Sequence, residues 1–227
     1  MKIVFRGVGF RLLRLLLGQE HEAYERIRKK VVELGNRYGI RVEEVGFEKT
    51  LTYNPIADVI RYNPKTIYKM YVTRKVLELT LDDFITHTFG HELAHRKSCE
   101  HPLLYVYLMA DVIHPCVFIC SDFYAIKFNL LKIPLVDENH RMMVKETCMR
   151  SAREISIHIR ERGEHMPALL ASIPAYLHED EIRSLFHFDH ELVELLIYLR
   201  RVYTSMRDDP EEIVSCIEKC KELMGGE

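Results

Sequence analysis

Residues 82–101 read DDFITHTFGHELAHRKSCEH, and how this stretch folds decides the architecture around it. His87, His91 and His95 recur at four-residue intervals, and Glu92 directly follows the second of them. Residues four apart on a helix lie one above the other, about 5–6 Å between Cβ atoms. A helix over 81–98 would therefore carry all three imidazoles on one face. Phe84, Thr88 and Leu93 suit its packed flank, and Ala94 permits a neighbour to come close. The pentapeptide His91-Glu92-Leu93-Ala94-His95 is H-E-x-x-H, whose two imidazoles can converge on one ion. Zn2+ held at about 2.0–2.1 Å from each nitrogen would bring the pKa of a bound water near 7. Glu92, one residue round, is the candidate general base for that water. His87 lies a turn too early for the motif and reads as a packed or ligand-supporting histidine.

Working outward, residues 9–38 carry helical periodicity through Leu12, Leu13, Leu16, Tyr24, Ile27, Val31 and Leu34, ending at Gly35 or Gly39. IRVEEVGFEK alternates as a strand does. TLTYNPIADVIRYNP reads as two short strands around an Asn-Pro turn, with Tyr-Asn-Pro at 53–55 and 62–64 closing each. Helices are predicted at 66–78, 81–98, 103–113 and 115–132, the last stopping at Pro134. From about 137 to 224 helical patterns are broken by RGEHMP, IPAY and RDDPEE, where Asp209 looks like an N-cap ahead of Pro210. No linker-like composition interrupts residues 1–227. The expected fold is α+β and predominantly helical, one compact unit with a small sheet, the motif helix and a helical C-terminal half.

A net charge of −2 with no clustered basic face argues against nucleic acid or an anionic membrane as partner. Arg6, Arg11 and Arg14 interrupt what would have to be the apolar core of a signal peptide. The apolar stretch 102–120 approaches the length of a membrane span, but Pro102, Asp111, His114 and Pro115 divide it into pieces better suited to buried helices. The expectation is a cytoplasmic protein. Among six cysteines are two C-x-x-x-C pairs, Cys116/Cys120 and Cys216/Cys220, and no C-x-x-C knuckle. Reduced, mostly buried thiols are the default for that compartment. Gln occurs once and Asn five times, a leaning towards a thermophile, where intracellular disulfides are a known exception.

The hairpin-then-HELAH order, followed by SDFYAIKFNLLKIP, resembles ImmA/IrrE-type metallopeptidases and minigluzincins over roughly residues 40–134. Their E-x-x-A-x-x-F…L-L-x-P segment is matched by Asp122, Ala125, Phe128, Leu130, Leu131 and Pro134. The resemblance implies a zincin-like core over about 20–134, a helical extension over about 135–227, and zinc held by His91, His95 and Asp122. Aspartate stands where that family has glutamate, a methylene shorter, so the two helices must approach more closely. His101 offers an alternative third ligand at metzincin spacing, although Ser98 replaces the glycine that lets the backbone turn there. Glu138 and His114 also remain open as ligands. The expected substrate is a peptide or protein lying extended along an edge strand near Ile60–Tyr62.

Stabilising the tetrahedral oxyanion requires a further donor, for which His140, His158, His165 and Tyr176 are candidates. His187 and His190, three apart, would be the nucleus of any second metal site. The rival readings are a zincin-fold regulatory or partner-binding protein without protease activity, and a helical protein whose H-E-x-x-H is accidental.

Overall fold

A computed structural model describes residues 5–46, 51–73, 79–100, 115–162 and 167–223. The elements in chain order are α1 (Phe5–Tyr38), β1 (Arg41–Glu44), β2 (Leu51–Asn54), β3 (Val59–Tyr62), α2 (Pro64–Thr73), α3 (Leu81–Ser98), α4 (Pro115–Lys127), α5 (Pro134–Arg162), α6 (Pro167–Tyr176), α7 (Glu179–Leu185), α8 (His190–Ser205) and α9 (Pro210–Leu223). The fold is thus α+β and mostly helical, with a small mixed sheet.

Helix α1 stops where Gly39 takes φ 61°, a left-handed conformation that costs glycine little. The Ile40 amide then closes back on the Gly35 carbonyl at 3.0 Å, turning the chain into β1. Strand β1 pairs parallel with β3 and β2 pairs antiparallel with β3, in the order β1-β3-β2. Both Tyr-Asn-Pro tripeptides close strands. Asn54 Oδ1 accepts from the Ala57 amide at 3.1 Å, and Asn63 Oδ1 accepts from the Lys65 amide at 3.0 Å while Pro64 opens α2. This topology corrects the expected position of the edge strand. Ile60–Tyr62 lies in the central strand, because β1 covers its far side, and the edge strand of the hairpin is β2.

Helix α3 has the predicted limits. Thr80 caps it, its Oγ1 accepting from the Asp83 amide at 3.1 Å. The helix lies between two apolar clusters. Phe84, Ile85 and Phe89 pack with Ile27, Val31 and Leu34 of α1 and with Ile60 of the sheet. Ala94 joins the other cluster, built from α4, α6, α8 and α9 around Phe123, Leu170, Leu196 and Ile217. Helix α4 therefore shares its core with the C-terminal helices. The α8–α9 loop is tied to both: the Asp208 carboxylate accepts from Lys97 Nζ at 2.8 Å and from Tyr124 Oη at 2.7 Å.

Two predicted boundaries move. Helix α4 ends at Lys127 instead of 132, because Asn129 turns the chain: its Nδ2 donates to the His87 carbonyl and its Oδ1 accepts from the Leu131 amide, each at 2.9 Å. Pro134 then opens α5. The IPAY stretch is not a break, since Pro174 lies inside α6. Arg200 Nη1 donates to the carbonyls of Pro174 and Ala175, both at 2.9 Å, supplying partners at the end of that helix. The predicted helix 103–113, with His101 and His114, falls outside the described residues. Among those described, no helix is long and apolar enough to cross a membrane.

The cysteines depart from the reduced default. Cys116 pairs with Cys220 and Cys120 with Cys216, at Cα–Cα distances of 5.6 and 5.8 Å, within disulfide range. Each C-x-x-x-C puts two thiols one turn apart on one face, and α4 and α9 pack antiparallel with those faces opposed. The two links are not additive in a loop-entropy account, whichever is taken first. The first closes a loop of 104 residues, worth about 4.7 kcal/mol, whereas the second then closes a ring of only about ten residues, worth about 2.7 kcal/mol. Replacing one pair by serine should cost about 3 kcal/mol whichever pair is chosen, and replacing both about 7 kcal/mol. Denaturant unfolding under non-reducing conditions checks this; a double variant no less stable than either single one would mean that α9 is held by packing alone.

Candidate metal centre

Helix α3 presents His91 and His95, and helix α4 presents Asp122. Their donor atoms all lie within 4.8 Å of one another. The two Nε2 atoms are 3.1 Å apart, and His95 Nε2 is 3.4 Å from Asp122 Oδ1. Two ligands at 2.0–2.1 Å from one ion in a tetrahedral site sit roughly 3.3–3.4 Å from each other, so the spacing fits a small divalent cation. Ala94 and Ala125 are fully buried in the cluster that α3 and α4 share. Small side chains there let the helices draw close enough for an aspartate to reach.

Ser121, next to Asp122, faces the other side of the same imidazole, its Oγ 2.8 Å from His95 Nδ1. With Nδ1 donating to that hydroxyl oxygen, Nε2 keeps the lone pair a metal needs. The electrostatics are those of charges crowded together in a partly buried site. Burial pulls His95 down, but the Asp122 carboxylate bonded to it and the charge of Glu92 outweigh burial and leave it above its ordinary value. Burial likewise pushes Asp122 up, and His95 brings it below the usual carboxylate range. At His91 the charge of Asp122 does not offset burial, which, reinforced by His95, lowers it to about 3.

Glu92 is buried, and its Oε2 accepts from the Tyr53 amide at 2.8 Å. Tyr53 belongs to β2, so the backbone of the edge strand touches the carboxylate. Burial pushes Glu92 up to about 7. The hairpin tip is anchored as well. Asp58, at φ 45°, accepts from Arg96 Nε at 2.8 Å, from Arg96 Nη2 at 2.9 Å and from Tyr53 Oη at 3.0 Å. Arg96 directly follows the candidate ligand His95, so strand and α3 are locked in register.

On the opposite flank Gly90 admits the turn that follows α4. A Cβ there would lie 2.5 Å from Leu131 Cβ and 2.6 Å from Leu131 N, and would also strike Asn129 Oδ1. That close approach brings the Ile133 amide within 3.1 Å of His87 Nδ1. Beside the triad opens a cavity of 270 Å³ to which α2, α3, α4, α5 and α6 all contribute. Its polar wall comprises His87, His91, Glu92, Asp122, His140 and Tyr176, and Met70, Ile126, Met143 and Val144 supply apolar surface.

Of the sequence candidates, His91, Glu92, His95 and Asp122 come together, and His140 and Tyr176 join the cavity wall. His158 is exposed on α5 outside that wall, and His165 falls outside the described residues. Glu138 is exposed and pairs with Arg141 at 3.2 Å. His187 and His190 are exposed, and among the described residues the triad is the one group of three or more metal-capable side chains that forms. Ser121 and Tyr53 had no signature in the sequence. No protein-family model, curated protein or solved structure matches the chain, so the functional reading rests on this geometry.

The purified protein should hold close to one divalent ion per chain. His91→Ala or His95→Ala should lose it, Asp122→Ala should weaken it severely, and Ser121→Ala should cost about 10–100-fold in affinity. Chelator-competition titration with elemental analysis measures all four; wild type free of metal after zinc addition and dialysis would exclude a metal centre.

Proposed function

We propose that this chain is a zinc-dependent metallopeptidase with a zincin-like core of the gluzincin type, related in plan to ImmA/IrrE-type enzymes. The observation that carries the reading is Glu92. A buried carboxyl sits beside a two-histidine, one-carboxylate donor set and is held there by the edge strand. A structural metal site needs no such group, since closed sites fill their positions with ligands.

His91, His95 and Asp122 would hold the ion. Zinc supplies Lewis acidity, acidifying a water and polarising a carbonyl. Glu92 takes the proton of the attacking water as its oxygen bonds to the peptide carbonyl carbon. It then returns that proton to the amide nitrogen as the C–N bond breaks, so the products are a free acid and a free amine. Burial suits Glu92 to this exchange, because it raises the carboxyl and so makes it a better proton acceptor. A substrate strand aligning along β2, rather than Ile60–Tyr62, would bring its backbone past Glu92. The cavity walled by α5 and α6 would receive a side chain or a short peptide end, limiting access for folded proteins. A cytoplasmic location belongs to the same proposal and is compatible with two disulfides only in an organism of the thermophilic kind that the Gln and Asn usage suggests.

Glu92→Gln separates this reading from a metal-binding regulatory protein, since it keeps every ligand and removes the base. We expect unchanged zinc stoichiometry and a drop of about 10²–10⁴-fold in the hydrolysis rate of a quenched-fluorescent peptide library. Equal rates for wild type and Glu92→Gln, or no cleavage by zinc-loaded wild type, would exclude the peptidase.

A further inference from the structure

His87 shares a helix face with the two ligands but meets different company. The Ile133 amide donates to its Nδ1 at 3.1 Å, and a ring nitrogen that accepts a hydrogen bond cannot carry the proton in a neutral imidazole. The proton is therefore on Nε2. No described residue accepts from that Nε2, yet the residue lines the cavity that holds His91, Glu92 and Asp122. The contrast with His95 is chemical. There Nδ1 faces the Ser121 hydroxyl oxygen, which takes the proton and frees Nε2 as a ligand. A ligating nitrogen needs a lone pair; His87 has its lone pair committed to the Ile133 amide, and its remaining N–H belongs to a residue of the cavity wall.

We propose that His87 is a catalytic hydrogen-bond donor, its Nε2–H directed at the carbonyl oxygen of the bound peptide and at the negative charge that this oxygen gains as the carbon becomes tetrahedral. The inference rests on the peptidase reading. The surroundings hold the donor ready before substrate arrives, the arrangement that makes such donors effective. Gly90 admits the 128–133 turn, Asn129 clamps it to the His87 carbonyl at 2.9 Å, and Ile133 then fixes the ring. The His140 ring packs edge-on at 5.7 Å and limits its rotation. Burial keeps the imidazole neutral, lowering it to about 4, so the group donates without adding a cation that would compete with the metal.

Two substitutions separate this role from a structural one. His87→Asn places an amide oxygen near the Nδ1 position, where it can still accept from Ile133, and removes the distal donor. His87→Gln places an amide N–H₂ near the Nε2 position. The probe is a phosphinic peptide, whose tetrahedral oxygens imitate the charged oxygen without needing turnover, titrated calorimetrically into zinc-loaded protein. We expect His87→Asn to keep wild-type zinc affinity and unfolding midpoint, to bind the probe about tenfold or more weakly, and to hydrolyse peptide about a hundredfold more slowly with KM little changed. His87→Gln should recover part of both losses. Nitrogen-15 spectra of the zinc-loaded wild type should show a protonated Nε2 and an accepting Nδ1 at His87. Equal probe affinity for wild type and His87→Asn, or the opposite tautomer, would overturn the proposal. Because tautomer and probe binding are read without catalysis, they stand apart from the outcome of the Glu92→Gln assay.

Discussion

The seam along α3 carries polar groups between two apolar clusters, and that placement constrains everything around it. His87 and Glu92 are 5% and 7% exposed, and leaving such groups unpaired in a protein interior costs roughly 1–3 kcal/mol each, more if charged. Each has acquired a backbone amide, from Ile133 and Tyr53 respectively. His95 takes a hydroxyl and a carboxylate from consecutive residues of α4. A hairpin, a turn and a helix must therefore each reach α3 at a fixed height. The register of β2, the end of α4 and the lean of α4 on α3 follow from this need as much as from apolar burial.

The same partners explain how the C-terminal half belongs to the centre. Helix α4 supplies Asp122 and Ser121 on one face and Cys116 and Cys120 to α9 on another. Asp208, after α8, is bonded to Lys97 on α3 and Tyr124 on α4. Lys127 Nζ closes the lower end of α4 onto the carbonyls of Tyr203, Thr204 and Met206 at 2.6–2.9 Å. The angle between α3 and α4, on which the reach of Asp122 to His95 depends, is thus braced by residues far along the chain. Helices α5 and α6 add the cavity wall that a small sheet and α3 alone would lack.

Legibility in the sequence followed the range of the interactions. The limits of α3 were readable because its cap and its His spacing are local, and both Tyr-Asn-Pro stops were readable because Asn and Pro act on their own neighbours. His91, Glu92 and His95 were readable for the same reason. The end of α4 was misplaced because Asn129 is turned by a carbonyl 42 residues earlier, which no window around 129 contains. The edge of the sheet was misassigned because β1 pairs with β3 across the whole hairpin. The disulfide partners lie 104 and 96 residues apart, and the C-x-x-x-C spacing gives only the face of each helix. Asp122 came from a likeness in pattern, while Ser121, its equal in holding His95, has no pattern to find.

Two histidines and one carboxylate are a donor set that iron(II) also accepts, so the ligands by themselves leave the chemistry open between hydrolysis and oxidation. The remaining groups of the cavity tilt it. A free carboxyl beside the metal would compete for an open coordination position. Glu92 would be restrained from doing so by its bond to the Tyr53 amide, which holds Oε2 on the strand side. His87, its lone pair held by the Ile133 amide, would present a proton instead and so would not add a third nitrogen to an ion there. A base on one flank and a neutral donor on the other are what addition of water to a carbonyl requires: one removes a proton from the attacking oxygen while the other meets the charge on the oxygen attacked. That division of labour, set by which backbone amide reaches which side chain, supports hydrolysis more strongly than the ligand triad does alone.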